Sequence, residues 1–119
     1  MKKTLVLGAS AHAYRYSNMA VHRLLAHGHE VAPVGINEGS IEGRPILIGM
    51  PHIEGVDTIT IYLSPQHQVQ YYPYILQLKP KRLIFNPGAE NPELAALAQQ
   101  NGIETENACT LVLLSVNQY

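Results

Sequence analysis

The stretch Thr4-Leu5-Val6-Leu7-Gly8-Ala9-Ser10 is an apolar run ending in a glycine turn, and Ser17 to Ala26 continues it with apolar residues at helical spacing. Strand, turn and helix in that order open a doubly wound α/β sheet, where the turn offers backbone N–H groups to a phosphate. The turn departs from the dinucleotide fingerprint G-x-G-x-x-G, because after Gly8 its second and third glycine positions hold Ser10 and Ala13. A phosphorylated ligand, in the first instance a nucleotide, is expected.

The rest of the chain repeats the alternation. In the first helix Ala20, Val21, Leu24 and Leu25 share a face, and Gly28 supplies its stop. Glu30 to Val34 reads as a second strand and Asp57 to Leu63, D-T-I-T-I-Y-L, as a third. Gly35 to Gly55 between them is rich in Gly and Pro, so it is expected to be loop, with at most a short strand at Ile46-Leu47-Ile48. Ser64-Pro65 opens a helix whose stripe of Val69, Tyr72 and Leu76 is split by Pro73. Arg82 to Phe85 is a fourth strand, Asn91-Pro92-Glu93 a capped helix start, and Ile103 to Thr105 a short fifth strand. Ala108 to Val116 is apolar, and periodicity leaves its type open. The expected fold is one α/β domain over residues 1–119, a doubly wound, mostly parallel sheet of about five strands with helices on both faces.

Composition narrows the function. Hydrophobic residues make up 46% and charged residues 14% of the 119, which is compatible with a protein partner or homo-oligomer. A net charge of −1 without a basic run provides no footprint for nucleic acid. The start Met1-Lys2-Lys3 leads into an apolar run too short for a signal peptide or membrane span, and Cys109 alone forms no internal disulfide. A cytoplasmic protein away from membranes is the expectation.

In an open parallel sheet, ligands collect outside the carboxyl ends of the strands. Gly8 to Ser17, Val34 to Asn37, Leu63 to Pro65 and Asn86 to Gly88 all fall there. Gly8, Gly35 and Gly88 remove bulk, and Ser10, Ser17, Ser64, Asn37 and Asn86 offer neutral polar groups, which suits an anion. An NAD site would place an acid at the tip of the second strand, but that tip reads Val34-Gly35-Ile36-Asn37 and its nearest acid, Glu38, is already in the loop.

Taken in order, G-A-S, R-Y-S-N, P-V-G-I-N, G-R-P, N-P-G-A-E-N-P-E-L and N-A-C-T cover nearly the whole chain. The series resembles the small stand-alone CoA-binding domain family, which is similar to the CoA-binding domain of the succinyl-CoA synthetase α subunit. The resemblance implies a Rossmann-like fold that binds CoA or acyl-CoA. It implies Gly8, Ala9, Ser10, Arg15, Ser17 and Asn18 at the phosphates, and Pro33, Val34 and Asn37 near the nucleotide. It also implies Leu63, Ser64 and Pro65 along the pantetheine path, with Asn86, Pro87 and Gly88 at the mouth. Gly35-Ile36-Asn37 departs from relatives that often read V-N-P followed by Lys, so a basic contact to the 3′-phosphate is expected to be missing.

Other residues are read by their surroundings. His12 lies in the phosphate turn and could donate a hydrogen bond. Cys109, inside an apolar segment, is read as packing rather than as a thiol partner for CoA. His27 and His29 flank Gly28 at a helix end with no thiolate near them, so no metal site is expected, and Glu90 and Glu93 suit a helix start. Tyr71, Tyr72 and Tyr74 are expected in core or interface packing. No nucleophile stands with an evident base, so no catalytic residue is assigned and non-catalytic binding is expected. The competing readings are a small nucleotide-dependent oxidoreductase, a ligase-associated subunit, and a structural partner subunit that has lost the ligand.

Overall fold

A computed structural model describes residues 1–119. Its strands are β1 (Thr4–Leu7), β2 (Val31–Gly35), β3 (Ser40–Ile41), β4 (Arg44–Pro45), β5 (Leu47–Ile48), β6 (Thr58–Ile61), β7 (Arg82–Phe85) and β8 (Glu104–Asn107). Its α-helices are α1 (Tyr16–Ala26), α2 (Pro65–Gln68), α3 (Tyr72–Leu78), α4 (Pro92–Gln100) and α5 (Thr110–Ser115). Six strands form one sheet in the order β5-β2-β1-β6-β7-β8, and every pairing within it is parallel. The expected α/β doubly wound, Rossmann-like architecture is therefore present. The sixth strand is β5, from the segment expected to hold at most a short strand, and β3 and β4 form a separate antiparallel pair.

Alternation along the strands assigns the two faces. Leu5, Leu7, Ile59, Ile61, Leu83 and Phe85 share a core with Ile75 of α3 and with Leu94 and Ala98 of α4. Val6 faces the other way, toward Val21 and Leu24 of α1 and Leu114 of α5. The period-two sequence of β6 has the same cause. Ile59 and Ile61 enter the first core, whereas Thr60 on the opposite face exchanges a 2.7 Å hydrogen bond with Thr110 of α5.

Local chemistry sets the element ends. α1 starts at Tyr16, with Arg15 as its N-cap, one residue before the expected Ser17. Pro73 sits in the first turn of α3, and the helix is split as expected, into two pieces joined by a 3-10 turn at Val69–Tyr71. Asn91 caps α4 as expected, its side chain accepting from the Leu94 amide at 3.1 Å. The fifth expected strand runs over 104–107 rather than 103–105, because β8 is a margin strand whose Glu104 and Asn107 are exposed and need no apolar side chains. The unassigned C-terminal segment is helix α5. Cys109 is its half-buried N-cap, and Val112 beyond it is 56% exposed, which corrects the expectation of a thiol packed inside an apolar segment.

Candidate functional site

Strand order reverses between β1 and β6, and the loops leaving their carboxyl ends diverge to opposite faces of the sheet. A cavity of about 500 Å³ opens there. Its floor is the glycine turn. Gly8 has φ +96°, a left-handed conformation, and a Cβ there would come within 3.1 Å of Leu63. The amides of Gly8 and Ala9 both donate to the Val34 carbonyl at 2.9 Å, which pins the turn to β2. From the other side, the Asn18 side chain donates to the Ser10 carbonyl at 2.9 Å.

The first turn of α1 forms one wall. The Arg15 carbonyl accepts from the Asn18 and Met19 amides at 3.1 Å, and the amides of Tyr16 and Ser17 have no backbone acceptor. Free first-turn amides and the positive end of the helix dipole both favour an anion. Arg15 is exposed at the cavity, its guanidinium 5.8 Å from the Tyr14 ring. Gly35, Ile36 and Asn37 form a second wall, packed so closely on the turn that a Cβ at Gly35 would lie 2.4 Å from the Ala9 carbonyl oxygen.

Two further loops close the site. Leu63 and Ser64 follow β6, and Pro87, Gly88 and Ala89 follow β7. Gln68, fully buried, spans them: its Nε2 donates to both the Leu63 and the Ala89 carbonyls at 2.8 Å, and its Oε1 accepts from Asn91 at 2.9 Å. The Gly88 amide donates to the Glu90 carboxylate at 2.8 Å, and the Tyr72 hydroxyl donates to Glu93 at 3.0 Å. Ser64 Oγ is 2.8 Å from His67 Nδ1. None of the 17 residues around the cavity is an Asp or Glu, while Arg15 and His12 are cationic or can become so.

Of the residues singled out from sequence, the structure gathers Gly8, Ala9, Ser10, Arg15, Ser17, Asn37, Leu63, Ser64, Pro87 and Gly88 around this space. Asn18, Pro33, Val34, Pro65 and Asn86 do not line it. Asn18 braces the turn, and Val34 is wholly buried in β2. Asn86 spends its side chain on Thr60, Ile61 and Thr110. Pro33 belongs to β2 and Pro65 to the start of α2.

Tyr16, Ile36, Tyr62, Tyr71 and Ala89 line the cavity without having been singled out for it. Tyr16 and Ile36 could have been found as large apolar residues at strand-end loops, and both stay about 70% exposed, at 69% and 74%. Tyr71 and Tyr74 are buried as expected, with Tyr74 donating to the Pro51 carbonyl at 2.6 Å. Tyr62 lines the space, and its hydroxyl is buried beside the Thr60 and Thr110 hydroxyls without a hydrogen bond of good geometry. Burial pushes that phenol well above its ordinary pKa.

The two histidines at the end of α1 are otherwise engaged. His27 Nδ1 lies 2.8 Å from the Arg23 carbonyl, and His29 Nδ1 accepts from the Lys2 amide at 2.9 Å.

The family described as CoA binding domain matches residues 2–115. A crystal structure described as that of an uncharacterized protein is 53% identical, with TM-score 0.98, covering 100% of this chain and 98% of its own. A conserved hypothetical protein from Pyrococcus furiosus is 28% identical, with TM-score 0.76, covering 92% of this chain and 93% of its own. A Thermus thermophilus structure is 22% identical, with TM-score 0.87 over 99% of this chain and 90% of its own, and shares the fold. No curated protein matches the chain.

Proposed function

Because the chain belongs to the CoA binding domain family, we propose that residues 1–119 form one nucleotide-binding domain that holds CoA or acyl-CoA in the cavity at the β1/β6 divergence, without catalysing a reaction itself. The observation that carries this reading is an anion-suited cavity lined by 17 residues with no carboxylate, built on free helix amides and Arg15. Gly8, Ala9, Ser10, Arg15 and Ser17 meet the phosphates, with Asn18 holding the turn from behind. Asn37 lies on the nucleotide side, backed by Pro33 and Val34. Leu63 and Ser64, ahead of Pro65, follow the pantetheine arm, and Pro87 and Gly88 form the mouth, fixed by Asn86.

The absence of an acid at the β2 tip argues against a ribose clamp of the NAD type, and although Ser64 Oγ at the cavity meets His67 Nδ1 at 2.8 Å, no carboxylate pairs with that histidine and the further groups of a catalytic set are not assembled there. A protein partner or second copy could add them, and the low charge content suits such contact. No helix is long and apolar enough to cross a membrane; a cytoplasmic setting is part of the proposed reading.

The test is a thermal-shift and calorimetric panel of CoA, acetyl-CoA, 3′-dephospho-CoA, NAD and AMP. Ligand at about 100 times its dissociation constant adds about 2.7 kcal/mol to native-state stability. Stabilisation by CoA or acetyl-CoA, with little from NAD, is expected. Stabilisation by NAD and none by any CoA form would overturn the reading.

A further inference from the structure

We infer that His12 is a second anion-binding group of this site, pairing in its protonated form with Arg15 across the ligand's pyrophosphate. The inference rests on the CoA reading and adds to it a residue and a proton. His12 lines the cavity on the same loop as Arg15. Its ring lies 5.4 Å from that of Tyr14, tilted by 32°, and the Arg15 guanidinium lies 5.8 Å from the same ring. Tyr14 is 70% exposed, so its role is not to fill the core; its ring is the common neighbour of two nitrogen-bearing groups that both line the cavity.

The backbone holds this arrangement. The His12 amide donates to Ser10 Oγ at 3.2 Å, the Arg15 amide donates to the His12 carbonyl at 3.0 Å, and a Cβ at Gly39 would touch the Ala11 Cβ at 2.8 Å. The loop from His12 to Arg15 is thus a closed turn braced against the β2–β3 connection.

The charges around the imidazole favour an incoming anion. On its own loop its ring neighbours that of Tyr14, which the Arg15 guanidinium also approaches. The connection packed against that loop carries Glu38, which is exposed and forms no ion pair with His12, and the acids that do pair with histidines, Glu42 and Glu54, hold His22 and His52. With no carboxylate to neutralise it, a protonated His12 beside Arg15 is offset only by the ligand. Ligand binding and proton uptake therefore reinforce one another by linkage.

The test uses 3′-dephospho-CoA, because the 3′-phosphate of CoA itself titrates near pH 6 and would contribute an opposing slope. Affinity is measured by calorimetry from about pH 5.5 to about pH 8.5 for the wild type and for His12→Gln, which keeps a hydrogen-bond donor but cannot take up the proton. For the wild type, affinity should fall about 3- to 10-fold as pH rises, with proton uptake on binding seen as a dependence of the heat on buffer ionisation. For H12Q the profile should be flat, at the weaker wild-type limit. The same slope and the same proton uptake in both proteins would overturn the assignment while leaving the CoA reading standing. Failure of the wild type to bind dephospho-CoA, CoA or acetyl-CoA at any pH would overturn the CoA reading and this inference together. His12 is exposed, so H12Q should melt with the wild type; a melting scan confirms that the comparison is between folded proteins.

Discussion

The side-chain carbonyl of Asn86 accepts the backbone amide of Thr110 at 2.9 Å, so the carboxyl end of β7 is tied to the start of α5. The amide nitrogen of the same side chain donates to Thr60 Oγ1 at 2.7 Å and to the Ile61 carbonyl at 2.9 Å. One buried side chain thereby fixes β6, β7 and α5 beneath the ligand loops.

Asn86→Ala should therefore destabilise the fold by about 2–4 kcal/mol, since it leaves buried groups unpaired. Asn86→Asp should cost a similar amount, because a carboxylate cannot donate to Thr60 or Ile61. Urea unfolding midpoints at unchanged slope measure this. A loss of CoA affinity in a protein of wild-type stability would instead make Asn86 a direct ligand contact.

Arg15→Ala should weaken CoA binding about 10- to 100-fold, the loss of one or two charge-assisted hydrogen bonds. Stability should change by less than about 0.5 kcal/mol, because the Arg15 side chain is exposed, makes no hydrogen bond or ion pair, and lies over the Tyr14 ring at 5.8 Å. Arg15→Lys should recover part of the affinity but not all of it, for lack of the guanidinium fork. Titrations beside melts separate the two effects.

Gly35→Ala should harm folding and binding together. The new Cβ would lie 2.4 Å from the Ala9 carbonyl oxygen, which forces β2 and the glycine turn apart at a cost of about 1–3 kcal/mol. A variant with wild-type melting temperature and affinity would show that the two loops have more freedom than this packing allows.

Cys109→Ser should be neutral or stabilising, within about 1 kcal/mol. Cys109 caps α5 without a side-chain hydrogen bond, and serine is the better cap. Thermal unfolding of the variant and its CoA titration check both parts, with affinity expected to be unchanged.

His29 is held below its ordinary pKa, first by partial burial and then by the cationic amino terminus, His27, Lys2 and Arg82. The neutral ring accepts from the Lys2 amide, and protonation at Nδ1 would break that bond. With a depressed native pKa, the unfolded chain binds more protons, so this contribution is present above about pH 6.5 and is lost as pH falls toward the native value. His29→Asn should reduce the stability lost on acidification relative to the wild type. Equal losses in both proteins would exclude His29 as a source.

The apolar runs with glycine or proline at their ends marked β1, β2, β6 and β7, and with them the four loops that meet at the cavity. Sequence could not show which side of each loop faces the ligand. Asn86 and Asn18 look like ligand groups because they are polar and stand at strand and helix ends, yet both are buried and spend their hydrogen bonds on the scaffold. Tyr62 and Tyr71 line the cavity from positions that a linear pattern reads as core. The strand β8 reads Glu-Thr-Glu-Asn, where margin placement alone accounts for the polar residues, and α5 is too short for periodicity to declare it.

The two margins of the sheet are unequal but equally poor templates for a further strand. β5 is two residues long, and β8 presents Glu104 and Glu106, the latter paired with Arg82 at 3.5 Å. A second chain annealing along β8 would have to bring its own backbone against those carboxylates, and along β5 it would find too few hydrogen-bonding groups to hold it. The fold is thus guarded against runaway edge-to-edge polymerisation.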